Sequence, residues 1–459
     1  MMSSSVGCDK PKIFNIGPVY ASIYLCNFKF KPLTLNPLTF KASMRTPIGV
    51  TIFIAIMLLL DTYVFQAIKT VSQNVSPKTR TIIYAIYWSL SVIAVISFLL
   101  FVYTGPEFLG KKVRTYLFAT VIGLFLAKLV GAVFFLIDDI RRGIQWITGK
   151  LFFNNTEVEG MSSDGISRST FLSWVGLAAG GTLFGSLLYG FSNKYNYQVK
   201  RIQLAYDNLP ASFKGLKIVH ISDIHSGSFT DKKAVNKGVQ KILDEKPDII
   251  LFTGDLVNDR STEMTEYMDV FNRLNAPMGV YSTLGNHDYG DYVKWPYDGI
   301  SKEQNLENLK KVHAGLGWRL LMNEHVVLER GEEKIALIGI ENWSNKARFP
   351  KHGRMDLAHA GTENYSFKIL MSHDPSHWEA EVQPKYGDVD LMLSGHTHGM
   401  QFGLEIPGLK WSPVQYMYKQ WDGLYENGKQ KLYVNPGYGF IGYPGRVGIL
   451  PEITVIELI

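Results

Sequence analysis

Leu284-Gly285-Asn286-His287-Asp288-Tyr289 closes a largely apolar run at 279–284, and four other runs in the second half of the chain end in a similar way. Residues 217–222 lead into Asp223-Ile224-His225, 248–253 into Gly254-Asp255, 367–371 into Ser372-His373-Asp374, and 389–393 into Gly395-His396-Thr397-His398. Short apolar runs of this kind, rich in β-branched residues, read as buried strands. Each polar cluster therefore stands where a strand gives way to a loop. Carboxylate, amide and imidazole donors gathered at such a place meet the needs of two divalent ions, with one carboxylate able to bridge. Alternation along an extended chain turns Asp223 and His225 to one side, and the same spacing does so for His396 and His398. Gly254 lets Asp255 approach closely, and Asn286 supplies a neutral oxygen that limits the negative charge of the cluster. His373 is the weakest member of the set, because Ser-His-Asp-Pro also reads as the start of a turn or helix.

Outward from these motifs, further strand-like runs lie at 334–340, 431–434 and 452–458, with a weaker alternating edge at 201–206. Helical periodicity falls between some of them. Residues 231–245 place Val235, Val239, Ile242 and Leu243 on one face, and 262–275 do the same with Met264, Met268, Phe271 and Leu274. In 302–316 the face is Leu306, Leu309, Val312 and Leu316, after a candidate Ser301 N-cap. Strands alternating with helices imply a layered α/β architecture with two central sheets, and chemistry at the strand ends suits such sheets.

The first half has another character. The 459 residues are 46% hydrophobic and 19% charged, which averages a membrane half with a soluble one. Four apolar stretches, 48–68, 81–103, 115–137 and 171–191, approach the roughly 20 residues that cross a bilayer. Asp61 lies in the first and Lys128 in the third; Lys128 reads as snorkelling to an interface. Lys69, Lys78, Arg80, Arg141, Arg142, Lys150 and Arg168 fall in two loops on one side, against Arg45, Lys111, Lys112 and Arg114 on the other. This excess makes the first side cytoplasmic and the catalytic half extracytoplasmic. Ser167-Arg168-Ser169-Thr170-Phe171-Leu172 is similar to a twin-arginine export signal, but Ser169 stands where the second arginine belongs, and the span reads as an uncleaved anchor. The net charge of +6 comes without a Lys/Arg block, so nothing resembles a nucleic-acid tail. Cys8 and Cys26 are far from the motifs, which excludes a cysteine metal site there. Residues 1–43 read either as an extension upstream of a start at Met44 or as an N-terminal arm. The expected division is 1–43, a membrane domain at 44–192 and a catalytic domain at 193–459.

The order of the five motifs resembles the calcineurin-like metallophosphoesterases, over about 215–459. The resemblance implies a four-layer α-β-β-α sandwich behind four transmembrane helices. It implies one ion held by Asp223, His225, Asp255 and His398, and a second by Asp255, Asn286, His373 and His396, with Asp255 bridging. His287 would face the leaving group, oriented by Asp288; Asp288 as a cap for the following turn is the other reading. Two ions about 3.5–4 Å apart would hold a bridging hydroxide for in-line attack on phosphorus, with His287 giving a proton to the departing oxygen. Mn, Zn, Fe or a mixed pair all suit such ligands. With its membrane half, the chain looks like the branch of transmembrane proteins with a metallophosphoesterase domain, related to UDP-2,3-diacylglucosamine hydrolases. Where that branch usually reads Gly-Gly-Gln, this chain has Gly399-Met400-Gln401.

The implied activity is hydrolysis of a phosphodiester or pyrophosphate bond in a lipid-linked substrate at the membrane, with no nucleic-acid partner. Alternatives are a phosphomonoesterase with the same centre, a catalytically silent metal-binding signalling scaffold, and a channel or transporter with an attached regulator. Six histidines outside the motifs, His220, His313, His325, His352, His359 and His377, are assigned to no metal, although His220 is close enough to lie behind a ligand. The aromatic-rich stretch 399–430 reads as a loop packed over the sheet or as an apolar lip for a lipid tail, and Tyr289–Tyr297 as a substrate rim or a packed loop. Arg446 reads as a surface arginine or a phosphate contact.

Overall fold

The computed structural model describes residues 47–104, 106–152 and 167–459. Cys8, Cys26, Met44 and Arg45 lie outside them, as does the whole 1–43 segment. The described residues up to Ile56 fall in one unit and those from Met57 onward in the other.

Among the described residues, four helices are long and apolar enough to cross a membrane: α1 (Pro47–Val71), α2 (Pro77–Tyr103), α3 (Lys111–Phe152) and α4 (Arg168–Asn193). α3 differs from expectation. Its helix continues past 137, so Arg141, Arg142 and Lys150 ride on a helix rather than in a loop. Ion pairs one turn apart, Asp138 with Arg141 at 2.8 Å and Asp139 with Arg142 at 3.7 Å, let that polar stretch stay helical. The Ser167-Arg168-Ser169-Thr170 stretch acts locally as a cap, since the Ser167 hydroxyl accepts from the Thr170 amide at the start of α4. Lys128 does not snorkel. It forms an ion pair with the buried Asp61 and donates to Ser91 Oγ at 3.1 Å. Each charge is costly alone in an apolar bundle and tolerable with its partner, so the pair fixes how these helices align.

The second half builds two six-stranded sheets. The first runs β1-β14-β2-β3-β4-β5, from β1 (Gln198–Leu204), β14 (Glu452–Leu458), β2 (Lys217–Ile221), β3 (Ile249–Phe252), β4 (Val280–Ser282) and β5 (Arg319–Leu320). The second runs β12-β13-β9-β8-β7-β6, from β12 (Gly423–Asn427), β13 (Gln430–Val434), β9 (Leu391–Ser394), β8 (Lys368–Met371), β7 (Glu333–Gly339) and β6 (Glu324–Arg330). Both are mixed: the ligand-bearing strands β2, β3 and β4 run parallel to one another, as do β8 and β9, while β14 is antiparallel to β2.

Strand alternation sorts the core into three layers of side chains. Ile218, Ile249, Leu251, Leu337, Ile369, Met371, Leu391 and Leu393 point between the sheets. Val219, Ile221, Ile250 and Phe252 point outward against Val235, Val239 and Ile242 of α5 (Lys232–Asp244) and Leu309 of α6 (Lys302–Gly315). On the other side Ile338, Leu370 and Met392 meet Met355 and Ala358 of α7 (Met355–His359), with Trp378 and Val382 beyond. This is the expected α-β-β-α sandwich. Strands covered on both faces need continuous apolar runs, which is why they were legible.

Ser301 caps α6 with a complete capping box through Gln304. The helical pattern at 262–275 folds instead as a 3-10 turn, Ser261–Tyr267, followed by a single α turn, Met268–Phe271. Asn305 Oδ1 takes both the amide and the hydroxyl of Ser261, and the tight turn still buries Met264, Tyr267 and Phe271. β6, β12 and the hairpin β10 (Leu404–Ile406) with β11 (Leu409–Trp411) lie in stretches without a clean alternation of apolar and polar residues.

Candidate metal centre

The five motifs converge at the loop ends of the central strands. Two groups form, Asp223 with His225 and His398, and Asp255 with His373 and His396; within each, one ligand atom per residue lies within 4.8 Å of the others. The spacing argument placed His396 and His398 on one side, and the structure separates them, one to each group. Neither pair is extended. Asp223, His225, His396 and His398 all have positive φ, between 48° and 73°, and so does Asp255 at 61°. Left-handed backbone at non-glycine residues costs about 1–3 kcal/mol each and persists only where surroundings enforce it. Here they do. The Asp223 amide donates to the Gly254 carbonyl at 2.9 Å, the His225 amide to the Asp255 carbonyl at 3.1 Å, and the Gly439 amide to the Asp223 carbonyl at 2.8 Å. Gly254 itself has φ of 100°, and a Cβ there would stand 2.4 Å from the Gly285 amide nitrogen, so that loop crossing requires glycine.

Asp255 Oδ2 lies between the groups, 3.5 Å from His225 Nε2 and 3.2 Å from His373 Nε2. His398 Nε2 is 3.2 Å from Asp223 Oδ1 and 3.0 Å from His225 Nε2. The His396 amide donates to Asp223 Oδ2 at 2.9 Å, which ties the groups together through the backbone. Asn286 Nδ2 donates to the Tyr292 hydroxyl at 2.7 Å, and its Oδ1 is buried without a hydrogen-bond partner. His225 Nδ1, on the ring edge away from these carboxylates, is likewise buried without a hydrogen-bond partner. Buried polar atoms are ordinarily satisfied, so the orphaned Asn286 amide oxygen beside this acidic pocket fits a centre made to receive cations.

The electrostatics agree. Burial alone would raise the Asp223 carboxyl, but His398 and His373 hold it well below the usual carboxylate range. Burial opposes charging His373, yet the Asp255 and Asp223 carboxylates push it up to about 10. A buried pocket that would otherwise recruit a protonated imidazole as counter-ion is one that favours positive charge. Outer partners fix the rings: His373 Nδ1 meets the Thr253 carbonyl at 2.7 Å, and His396 Nε2 meets the Tyr418 hydroxyl at 2.9 Å. Asp374 Oδ2 is 3.5 Å from the same nitrogen of His396.

His287 is half-buried at the mouth. Its Nδ1 meets the Asn258 carbonyl at 2.7 Å and its ring packs on Tyr292, with centroids 4.3 Å apart. Asp288 does not orient it. The Asp288 carboxylate accepts from the amides of Asp255 (2.8 Å), Gly285 (2.9 Å), Leu256 (2.9 Å) and Val257 (3.3 Å), so it holds the Asp255 loop in place. Burial and then the Asp255 charge push it up to about 7, against the pull of those amides.

Arg446 is a further correction. It is wholly buried, not on the surface. Its guanidinium donates to the carbonyls of Pro436 (2.8 Å), Gly437 (3.2 Å) and Gly439 and stands 3.3 Å from His398 Nδ1. Tyr292, Asp374, Tyr418 and Arg446 thus join the site from positions that sequence reasoning did not assign. Of the six other histidines, His220 does lie behind the site, with Nε2 2.9 Å from Thr253 Oγ1, while His313 pairs with Ser282 and His377 with Ser372. Met400 keeps φ of 54° and remains half exposed, replacing no ligand.

The family profile "Calcineurin-like phosphoesterase" matches residues 216–400, and "Probable Calcineurin-like phosphoesterase, transmembrane domain" matches 44–194. The chain belongs to the calcineurin-like phosphoesterases. It is 29% identical over 321 residues to a transmembrane protein with metallophosphoesterase domain from Danio rerio, across 68% of this chain and 67% of the relative. Similarity to the uncharacterized metallophosphoesterase YkuE of Bacillus subtilis (strain 168) is 29% over 304 residues, 64% of this chain and 98% of that one. Phosphodiesterase YaeI of Escherichia coli (strain K12) is 27% identical over 304 residues, 64% of this chain and all of its own length. As a member of this family the chain is a membrane-integrated hydrolase of phosphoester bonds that uses divalent metal.

Proposed function

We propose that this calcineurin-like phosphoesterase is a dinuclear phosphodiesterase, cleaving phosphodiester or pyrophosphate bonds of a lipid-linked substrate at the bilayer. The observation that carries the two-ion reading is Asp255 Oδ2, within 3.5 Å of an imidazole from each group. Asp223, His225, Asp255 and His398 would hold one ion, and Asp255, Asn286, His373 and His396 the other. Oxygen and imidazole donors suit Mn, Zn, Fe or a mixed pair. When bound, the ions supply charge neutralisation for the phosphoryl oxygens and activate water at neutral pH. His287 Nδ1–H donates to the Asn258 carbonyl, so a second proton on the ring sits on Nε2, and in that imidazolium form His287 can pass the Nε2 proton to the departing oxygen and return to the neutral Nδ1–H form. Asp288, through four backbone amides, keeps Asp255 in the strained conformation from which it reaches both groups. The name of YaeI supports the diester reading, and the four spans support a substrate met at the membrane. The excess of Lys and Arg on the side of 69–80 and 138–170 supports an extracytoplasmic catalytic domain.

The test is hydrolysis of bis-p-nitrophenyl phosphate by the full chain in nanodiscs with Mn²⁺, beside p-nitrophenyl phosphate and the Asp255→Asn variant. Diester turnover should require metal and fall by more than the roughly 10–100-fold typical of an outer partner in Asp255→Asn. Turnover confined to the monoester, or unchanged in the variant, would sink the proposal.

A further inference from the structure

The β10–β11 hairpin belongs to neither central sheet. Its register pairs Leu404 with Trp411, Glu405 with Lys410, and Ile406 with Leu409. Side chains alternate faces along a strand, and directly paired residues share one. One face of the hairpin is therefore Leu404, Ile406, Leu409 and Trp411, all apolar and all exposed, by 36–50%. The other is the Glu405–Lys410 pair at 3.4 Å, turned toward the body of the domain, where Glu405 lies 3.6 Å from Lys200 of β1 and Lys410 lies 2.8 Å from Asp422. The arrangement is the reverse of a packed hairpin, since the charges face the protein and the hydrophobic side chains face away. A contiguous exposed apolar face marks an interaction surface.

The backbone ties the hairpin to the end of a membrane-length helix. The Gly403 amide, one residue before the hairpin, donates to the Val447 carbonyl, and the Val447 amide donates to the Gln401 carbonyl, both at 2.8 Å. Arg446, beside Val447, gives its amide to the Gly190 carbonyl in the last turn of α4 at 2.9 Å. Tyr443 donates to the Leu187 carbonyl and packs on Phe191, and Gln401 Nε2 reaches the Tyr443 carbonyl at 2.7 Å. A Cβ at Gly190 would stand 2.7 Å from Val447 Cγ2, so the 443–447 loop lies directly on the helix. The hairpin thus hangs from the very end of a helix that crosses the bilayer, and its root, His398–Gln401, carries a residue of the metal centre.

We infer that the apolar face of the β10–β11 hairpin rests in the headgroup–acyl boundary of the membrane that α4 crosses, holding the catalytic mouth against the lipid surface. Four apolar side chains on one face, with a tryptophan among them, suit that boundary, where apolar faces enter by about 5–10 Å. This docking rests on the membrane spans and not on the proposed chemistry.

The experiment uses the full chain with Cys8 and Cys26 replaced by serine and a single cysteine introduced as Leu409→Cys, or as Ile406→Cys in a second variant. Glu332→Cys, in the β6–β7 turn at the opposite end of the sheet from the ligand loops, is the comparison. Each carries an environment-sensitive NBD label in nanodiscs of phosphatidylcholine and phosphatidylglycerol, with and without doxyl-labelled phosphatidylcholine. Shallow doxyl groups should remove at least about twice as much emission at 409 and 406 as at 332, with a blue shift at the hairpin positions. Equal quenching at all three positions overturns the inference. Quenching between labelled copies without quenching by lipid would assign the face to a second chain and overturn it too.

Discussion

Asp288→Asn separates two roles for one carboxylate. The asparagine keeps one oxygen and replaces the other with an amide that cannot accept. If the oxygen stays toward the Asp255 and Gly285 amides, the Leu256 and Val257 amides, now 2.9 and 3.3 Å from an acceptor, lose theirs and face an NH₂ group. Each buried unsatisfied donor costs about 1–3 kcal/mol, so the variant should lose about 2–6 kcal/mol. For a domain of this size that is a fall in Tm of roughly 4–24 °C. The Asp255 loop also loses the anchor that enforces its positive φ, so Mn²⁺ affinity should weaken by about 10–100-fold, as for other outer partners of a metal site. The assay is a melt followed by tryptophan fluorescence, a Mn²⁺ titration and kcat at saturating metal. A variant with wild-type Tm and Mn²⁺ affinity but lowered kcat would refute this reasoning and return Asp288 to the task of orienting His287.

Further outcomes follow from the same geometry. His287→Gln should lower kcat on a diester with a poor leaving group by about 10²–10⁴-fold and much less on bis-p-nitrophenyl phosphate, whose leaving group needs little protonation; equal losses on both would deny it the acid role. In Gly395→Ala the new methyl group would stand 2.1 Å from Asp223 Oδ2, so metal content measured on the purified variant should drop while the far-UV dichroism is retained. His313, buried against Ser282, is pushed down to about 3 by burial, so its neutral form is the folded one. Its contribution to stability is present above about pH 6.5 and is lost as pH falls toward 3; at pH 5 the loss is about 2 kcal/mol. The stability of His313→Phe relative to wild type should therefore improve by that amount between pH 7 and pH 5 in urea melts.

The sequence was most informative where one local signal carried one structural fact. Strands covered on both faces need unbroken apolar runs, so β2, β3, β8 and β9 could be read directly, and the ligands stood out as polar residues at their ends. What escaped was set by contacts between distant segments. Nothing local to Arg446 reveals that its neighbours are the carbonyls of 436–439 and the ring of His398. Tyr418 and Tyr292 were two aromatics among many, although each sits in a segment already suspected of edging the site. The converging side chains were foreseen for the wrong reason, since positive-φ turns aim them rather than strand alternation. α3 outruns its predicted end because one-turn ion pairs satisfy charges that by themselves read as loop signals. The hairpin was hidden because an amphipathic ribbon of two three-residue strands is too short for periodicity to register.

The central claim is a paired metal centre bridged by Asp255. It is tested most directly by counting metal in the full chain and in Asp255→Asn after equilibration with Mn²⁺ and removal of excess, by mass spectrometry of the digested protein against its peptide content. The account predicts two ions per chain in the wild type and fewer than one in the variant, with diester turnover lost in step. A single ion in the wild type, or two retained without the Asp255 carboxylate, would contradict it.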